Sequence, residues 1–216
     1  MTRLILPTVI LAAVCASACA PLERSRNLGN PNVPAKTLAQ QVCAECHGVT
    51  GHALSPNFPN LAAQQRDYLV AQLKDFRSHG RLDPPGYEYM WGLSRHLSDG
   101  QIAGLADYFA AQPSAPIHAK AVPESPIVAV GRALYHKGAA ERGVQACSEC
   151  HGEHAEGDSQ SPRLAGQHKN YLIRQLIVFK RTDQRPAGAD MKEAAHSLTD
   201  ADIRALAAYL HCEPGS

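Results

Sequence analysis

Two short stretches of the 216-residue chain carry residue types that do chemistry: Cys43-Ala-Glu-Cys46-His47-Gly48 and Cys147-Ser-Glu-Cys150-His151-Gly152. In each, two thiols on one turn of chain stand directly before an imidazole. A Cys-x-x-Cys pair alone admits a disulfide, and two such pairs admit a zinc site. The histidine that closes each motif points instead to covalent haem attachment. The two thiols then bond the two vinyl groups of one haem, and the next residue turns its ring toward the iron. On this reading Cys43, Cys46, Cys147 and Cys150 attach two haem c groups, and His47 and His151 are iron ligands.

A closed iron site needs a second axial ligand. Apart from the initiator the chain has only Met90 and Met191, each seven positions before the leucine that opens the last helical pattern of its half. Methionines also fill irregular gaps in apolar cores. Their scarcity and matched placement favour ligation, and a neutral thioether raises the reduction potential of haem iron. His96 and His196, just beyond the methionines, are the nearest competitors, and the remaining histidines read as solvated or locally hydrogen-bonded. Pro59 and Pro162 follow the two motifs at similar distances. Each can present a carbonyl to the other ring nitrogen of the proximal histidine, which fixes the ring and tunes the iron. Arg81 and Arg185 are candidates for pairing with haem propionates, although loops of unequal length blur their match. Trp91 reads as ring packing.

These residues are positioned by one unit written twice. Pro59-Asn-Leu61-Ala-Ala-Gln64 is answered by Pro162-Arg-Leu164-Ala-Gly-Gln167. Tyr68, Leu69, Gln72, Leu73 and Phe76 match Tyr171, Leu172, Gln175, Leu176 and Phe179, and their spacing predicts a helix with one apolar face. Ser98 to Gln101 predicts a capping box before Ile102, Leu105 and Tyr108. Thr199 predicts the same start before Ile203, Leu206 and Tyr209. Val130, Leu134 and Tyr135 suggest a helix leading into the second motif. No stretch reads as a strand. The expected organisation is a signal peptide over 1–18, an N-terminal extension over 19–36, domains over 37–112 and 127–216, and a proline-rich linker over 113–126. Domains of this size bury a core only moderately well, and a large flat apolar cofactor would supply the missing interior.

The front of the chain reads as an export signal, with Arg3 ahead of the apolar stretch Leu4–Ala18. Ala16-Ser17-Ala18 fits ordinary cleavage; the same residues before Cys19 also fit a lipoprotein signal, which would tether the protein through an acylated Cys19. Lys plus Arg number 21 against 20 Asp plus Glu, with no block of one sign, so a nucleic-acid or polybasic membrane contact is not expected. Cys212 reads as a bystander.

At this point the sequence resembles the di-haem cytochromes c₄, tandem class I cytochromes c, from about Thr37 to Leu210. The resemblance rests on both Cys-x-x-Cys-His-Gly motifs, the Pro-Arg-Leu-Ala-Gly-Gln stretch with its Tyr-Leu continuation, and the Met191…Leu-Thr-Asp-Ala-Asp-Ile tail. It implies an all-α fold of two tandem domains with their haems close enough for exchange. It also implies a periplasmic carrier moving electrons from a donor complex to a terminal oxidase or reductase. Two alternatives stand beside it: an electron-relay subunit of a periplasmic dehydrogenase acting on an alcohol or sulfur compound, and a haem enzyme with one open iron. The first half departs from the pattern ahead of Met90, which lies 43 positions after His47, against 40 between His151 and Met191.

Overall fold

The computed structural model describes residues 22–114 and 125–214. The signal peptide, Cys15, Cys19 and most of the proline-rich linker, with His118, lie outside the described residues. Those described form helices and loops, and their only β pairing is one isolated bridge between Ala139 and Val144.

The first half begins with α1 (Ala35–Leu38), a π-helical turn (Ala39–Cys43) and α2 (Ala44–His47), which follow one another without a break. The structure thus adds a helix ahead of the first motif that periodicity had not revealed. It is too short, and interrupted too soon by the π turn, to show a 3.6-residue stripe. α3 (Arg66–Arg77) follows, burying Leu69 and Phe76, with Asp67 in its first turn and Lys74 and Arg77 in its last. These charges complement the helix dipole. A π turn (Gly86–Met90), α4 (Trp91–Ser94) and α5 (Asp99–Ala110) complete this half.

The second half runs through α6 (Pro126–Lys137), α7 (Ser148–His151), α8 (Lys169–Arg181), α9 (Ala189–His196) and α10 (Asp200–Cys212). Both expected capping boxes are present. Ser98 accepts from the Gln101 N–H and Thr199 from the Asp202 N–H, while Gln101 and Asp202 reach back to the cap residues.

Each half has its own core. In the first, Leu38, Leu69, Leu97, Ile102, Leu105 and Phe109 pack together with Val33. In the second, Leu134, Tyr135, Leu172, Phe179, Ile203 and Leu206 form the centre of a larger cluster. The first and last helices of each half cross at a small residue. A Cβ added at Gly104 of α5 would lie 2.7 Å from the Ala35 methyl of α1, and one at Gly131 of α6 would lie 2.0 Å from the Ala205 carbonyl oxygen of α10. The same crossing therefore carries its glycine on opposite partners in the two halves.

The halves do not hang apart on their linker. The Leu82 N–H donates to the Gln184 carbonyl at 2.8 Å, His168 Nε2 to the Ala53 carbonyl at 2.9 Å and Arg174 to the Asn57 carbonyl at 2.5 Å.

Candidate haem sites

Each Cys-x-x-Cys-His motif ends a short helix that a glycine stops. Gly48 and Gly152 have φ of 76° and 81°, and a Cβ on Gly48 would lie 2.2 Å from the His52 carbonyl oxygen. A side chain is strained in this conformation at both positions, and at Gly48 it also has no space, so glycine suits the position after each histidine. The turn places Cys43, Cys46 and His47 on one helical stretch, and Cys147, Cys150 and His151 on its counterpart.

None of the four thiols is in a disulfide. Burial pushes the Cys43 and Cys147 thiols up to about 11. A redox-active cysteine needs the reverse, a depressed pKa that favours thiolate. Among the described residues no group of three or more His, Cys, Asp or Glu is arranged to hold a metal ion. The half-buried, neutral thiols of Cys43 and Cys147 fit bonding to apolar vinyl groups.

His47 and His151 are 8% and 5% exposed. His47 Nδ1–H donates to the Pro59 carbonyl at 2.9 Å, and His151 Nδ1–H to the Pro162 carbonyl at 3.0 Å. Both prolines therefore play the part expected of them. Burial pulls each imidazole below its ordinary pKa, with the proline carbonyl opposing. A neutral ring with Nδ1 engaged leaves Nε2 free to act as a ligand, in the form iron requires.

Met90 closes the π turn Gly86–Met90, and Met191 lies in α9; both are half-buried. His96 and His196 are exposed. Trp91 packs against His79 at 4.2 Å between ring centroids and takes the Arg95 guanidinium over its face.

Sequence reasoning missed a polar cluster between the halves. Arg81 and Arg185 lie at matched places after all, each with its guanidinium 4.4 Å from the centroid of the matched ring, Phe76 or Phe179. Arg81 donates to Gln72 and Gln175, and Arg185 donates to the same two side chains. The intervening loops differ in length, so an alignment by offset hides this match. The signal available was the pair Gln72 and Gln175, polar residues on the apolar stripe of matched helices. The symmetry is broken by Asp83, fully buried and held by Arg81 Nε and Nη2 at 3.0 and 2.8 Å. Burial alone would raise its carboxyl, but the Arg81 hydrogen bonds and charge outweigh it and hold it below the usual range. In the same cluster Gln175 Nε2 is buried without a hydrogen-bond partner. With Arg81 paired to Asp83, the Arg185 guanidinium leaves the cluster a net positive donor set that fits an anionic group such as a haem propionate.

The cytochrome c family model matches the chain twice, over residues 33–112 and 128–212. Cytochrome c-552 of Acidithiobacillus ferridurans is 35% identical over 210 residues, covering 97% of this chain and 86% of the relative. The structure of Acidithiobacillus ferrooxidans cytochrome c₄ matches with a TM-score of 0.71 at 37% identity, over 79% of this chain and 97% of that one. A thiosulfate dehydrogenase electron acceptor of Stutzerimonas stutzeri is 33% identical over 174 residues, covering 79% of this chain and 78% of the relative.

Proposed function

The chain belongs to the cytochrome c family, with two tandem domains that each bind one haem c covalently, and from that premise we propose a periplasmic carrier that passes electrons between a donor complex and a terminal oxidase or reductase. It is an electron-transfer protein whose partners are redox proteins. Among the described residues no helix is long and apolar enough to cross a membrane. We propose residues 37–112 and 127–216 as the domains and 113–126 as the linker between them, behind a signal peptide over 1–18 and an extension over 19–36. Cys19 is the point at which a lipid would tether the protein.

The observation that carries the site assignment is the matched, buried imidazole hydrogen-bonded to a proline carbonyl in both halves. Cys43 and Cys46 would attach the first haem, with His47 and Met90 holding its iron. Cys147 and Cys150 would attach the second, with His151 and Met191. When bound, each haem supplies a one-electron iron couple. The chain's own part is to fix the ligands so that little rearranges on transfer. Pro59 and Pro162 hold each imidazole in one tautomer and orientation, and the Arg81 and Arg185 cluster would compensate propionate charge. No acid, base or nucleophile is needed.

The test is the optical spectrum of the mature protein, oxidised and reduced, with a haem count and carbon monoxide added to the reduced form. Two covalent haems, a sulfur-to-iron charge-transfer band from each and no carbon monoxide shift are expected. A haem that lacks the band and binds carbon monoxide overturns the closed-site reading, and Met90, on the longer loop, is where that failure would arise. A second reading, a relay subunit of a thiosulfate-oxidising dehydrogenase, is favoured by the likeness to the Stutzerimonas acceptor. Reduction of the pure protein by such an enzyme at a physiological rate would select it.

A further inference from the structure

The proline carbonyl that receives each proximal imidazole is one end of a peptide group, and the opposite domain holds the other end. The Asn60 N–H, in the same peptide as the Pro59 carbonyl, donates to Gln167 Oε1 at 2.8 Å, while Gln167 Nε2 donates back to the Asn60 carbonyl at 3.0 Å. The mirror arrangement is complete. The Arg163 N–H, in the same peptide as the Pro162 carbonyl, donates to Gln64 Oε1 at 2.7 Å, and Gln64 Nε2 donates to the Arg163 carbonyl at 3.0 Å. Gln64 and Gln167 occupy equivalent places in the repeat and are 6% and 5% exposed, which leaves little room for water to replace either clasp.

Two unbroken chains of hydrogen bonds result, from His47 through the 59–60 peptide to Gln167, and from His151 through the 162–163 peptide to Gln64. A peptide is one resonance unit: drawing on its N–H puts more negative charge on its carbonyl oxygen, so successive bonds reinforce one another. A stronger carbonyl acceptor draws the Nδ1 proton further from the ring and makes the imidazole a more basic ligand. A more basic ligand favours ferric over ferrous iron and lowers the potential. A glutamine that only glued the domains together could bond any backbone group; these two bond the peptides that reach the imidazoles.

We propose that Gln64 and Gln167 are reciprocal positioning residues, each setting the strength of the hydrogen bond at the proximal histidine of the other domain, so that docking of one domain tunes the iron of the other. The proposal rests on the assignment of His47 and His151 as haem ligands made above. It predicts a crossed pattern that general loosening of the interface would not produce.

The experiment is a redox titration of the full, haem-loaded chain followed by NMR, with haem methyl and histidine Nδ1–H resonances assigned by domain, for wild type, Gln167→Leu and Gln64→Leu. Gln167→Leu is expected to raise the potential of the first-domain haem and move the His47 Nδ1–H resonance upfield, with smaller changes in the second domain. Gln64→Leu is expected to do the reverse. Shifts that are equal in both haems, larger in the mutated residue's own domain, or missing would overturn the proposal. Gln167→Glu keeps an acceptor oxygen toward the Asn60 N–H and guards against a leucine variant that fails to mature. Its first-domain potential is expected at or below wild type, and a rise would overturn the proposal. Loss of histidine ligation in the wild-type spectrum would instead defeat the ligand assignment, an outcome distinct from normal ligation without a crossed shift.

Discussion

The two domains reach the same site by different roads. In the first, α1, the π turn and α2 lead from Ala35 to His47 without leaving a helical path. In the second, α6 ends at Lys137, Gly138 turns at a φ of 60°, and a bridged loop from Ala139 to Val144 intervenes before α7. The approach to the methionines differs too, with a π turn before α4 in one and Pro186–Gly188 before α9 in the other. What stays constant is the thiol pair, the glycine stop, the histidine-to-proline bond and the cross-domain glutamine. Constancy therefore follows contact with the cofactor and with the other domain, and the route of the chain is free to vary. The helix crossing shows the same rule in packing: one close approach is required, and which helix supplies the glycine is not fixed.

That last contrast gives the largest expected effect. Gly131→Ala puts a methyl 2.0 Å from a backbone carbonyl oxygen of α10, which cannot yield without moving a buried helix. Gly104→Ala meets only the Ala35 methyl at 2.7 Å, at the very start of α1, where the chain can shift. Overpacking should cost the second domain about 3 kcal/mol. In the first, where only a methyl at the start of α1 must give, about 1 kcal/mol is expected. Thermal unfolding of the haem-loaded variants, followed by domain-assigned resonances, measures both. Equal losses would mean that the two crossings do not differ in the way these contacts imply.

A middle-sized effect separates the caps. Gln101 Nε2 pins the segment entering the first domain through the Asn30 and Val33 carbonyls, at 3.0 and 3.1 Å. Its counterpart Asp202 pins the entry loop of the second through Arg142, at 2.6 Å. Burial opposes ionisation of Asp202, yet the bonds from Arg142 and Thr199 bring its carboxyl down to about 2. A folded pKa below the unfolded one means that the stabilisation is complete above about pH 4 and is lost as pH falls through about 2, worth about 1 kcal/mol once solvent screening of the half-exposed Arg142 is allowed for. Acid should therefore loosen the second domain through this group, while the amide cap of the first does not titrate. Asp202→Asn should flatten this part of the second domain's pH dependence. An unchanged acid profile in that variant would assign the loss to other carboxylates.

How far the sequence disclosed all this follows from the range of each interaction. Both motifs, both capping boxes and the helices over Arg66–Arg77 and Lys169–Arg181 were legible because their causes lie within a few residues of one another. The two prolines were legible because the repeat showed them twice. The clasps were not: Gln64 meets Arg163 and Gln167 meets Asn60 only after the halves dock, about a hundred positions apart in the chain. Arg81 and Arg185 were obscured by unequal loops, and Asp83, present on one side only, left no repeat to notice.

The smallest effect lies beside the clasps. Ala63 has a φ of 53°, and the residue at the matched place in the second domain is Gly166, at 69°. Both backbones turn there to give an N–H to the last helix: Ala63 to the Phe109 carbonyl at 3.2 Å, Gly166 to the Leu210 carbonyl at 2.9 Å. The tertiary bond is thus the same, but alanine adopts the left-handed region at a cost of about 1 kcal/mol that glycine does not bear. Glycine in turn loses more freedom on folding, by roughly 0.5 kcal/mol or more. Ala63→Gly should therefore stabilise the first domain by less than about 1 kcal/mol. If the turn matters beyond its own strain, the effect will appear in the neighbouring contact, as a firmer Gln64 clasp and slower exchange of the Arg163 amide. A destabilised first domain would show instead that the alanine methyl contributes packing worth more than the strain it bears.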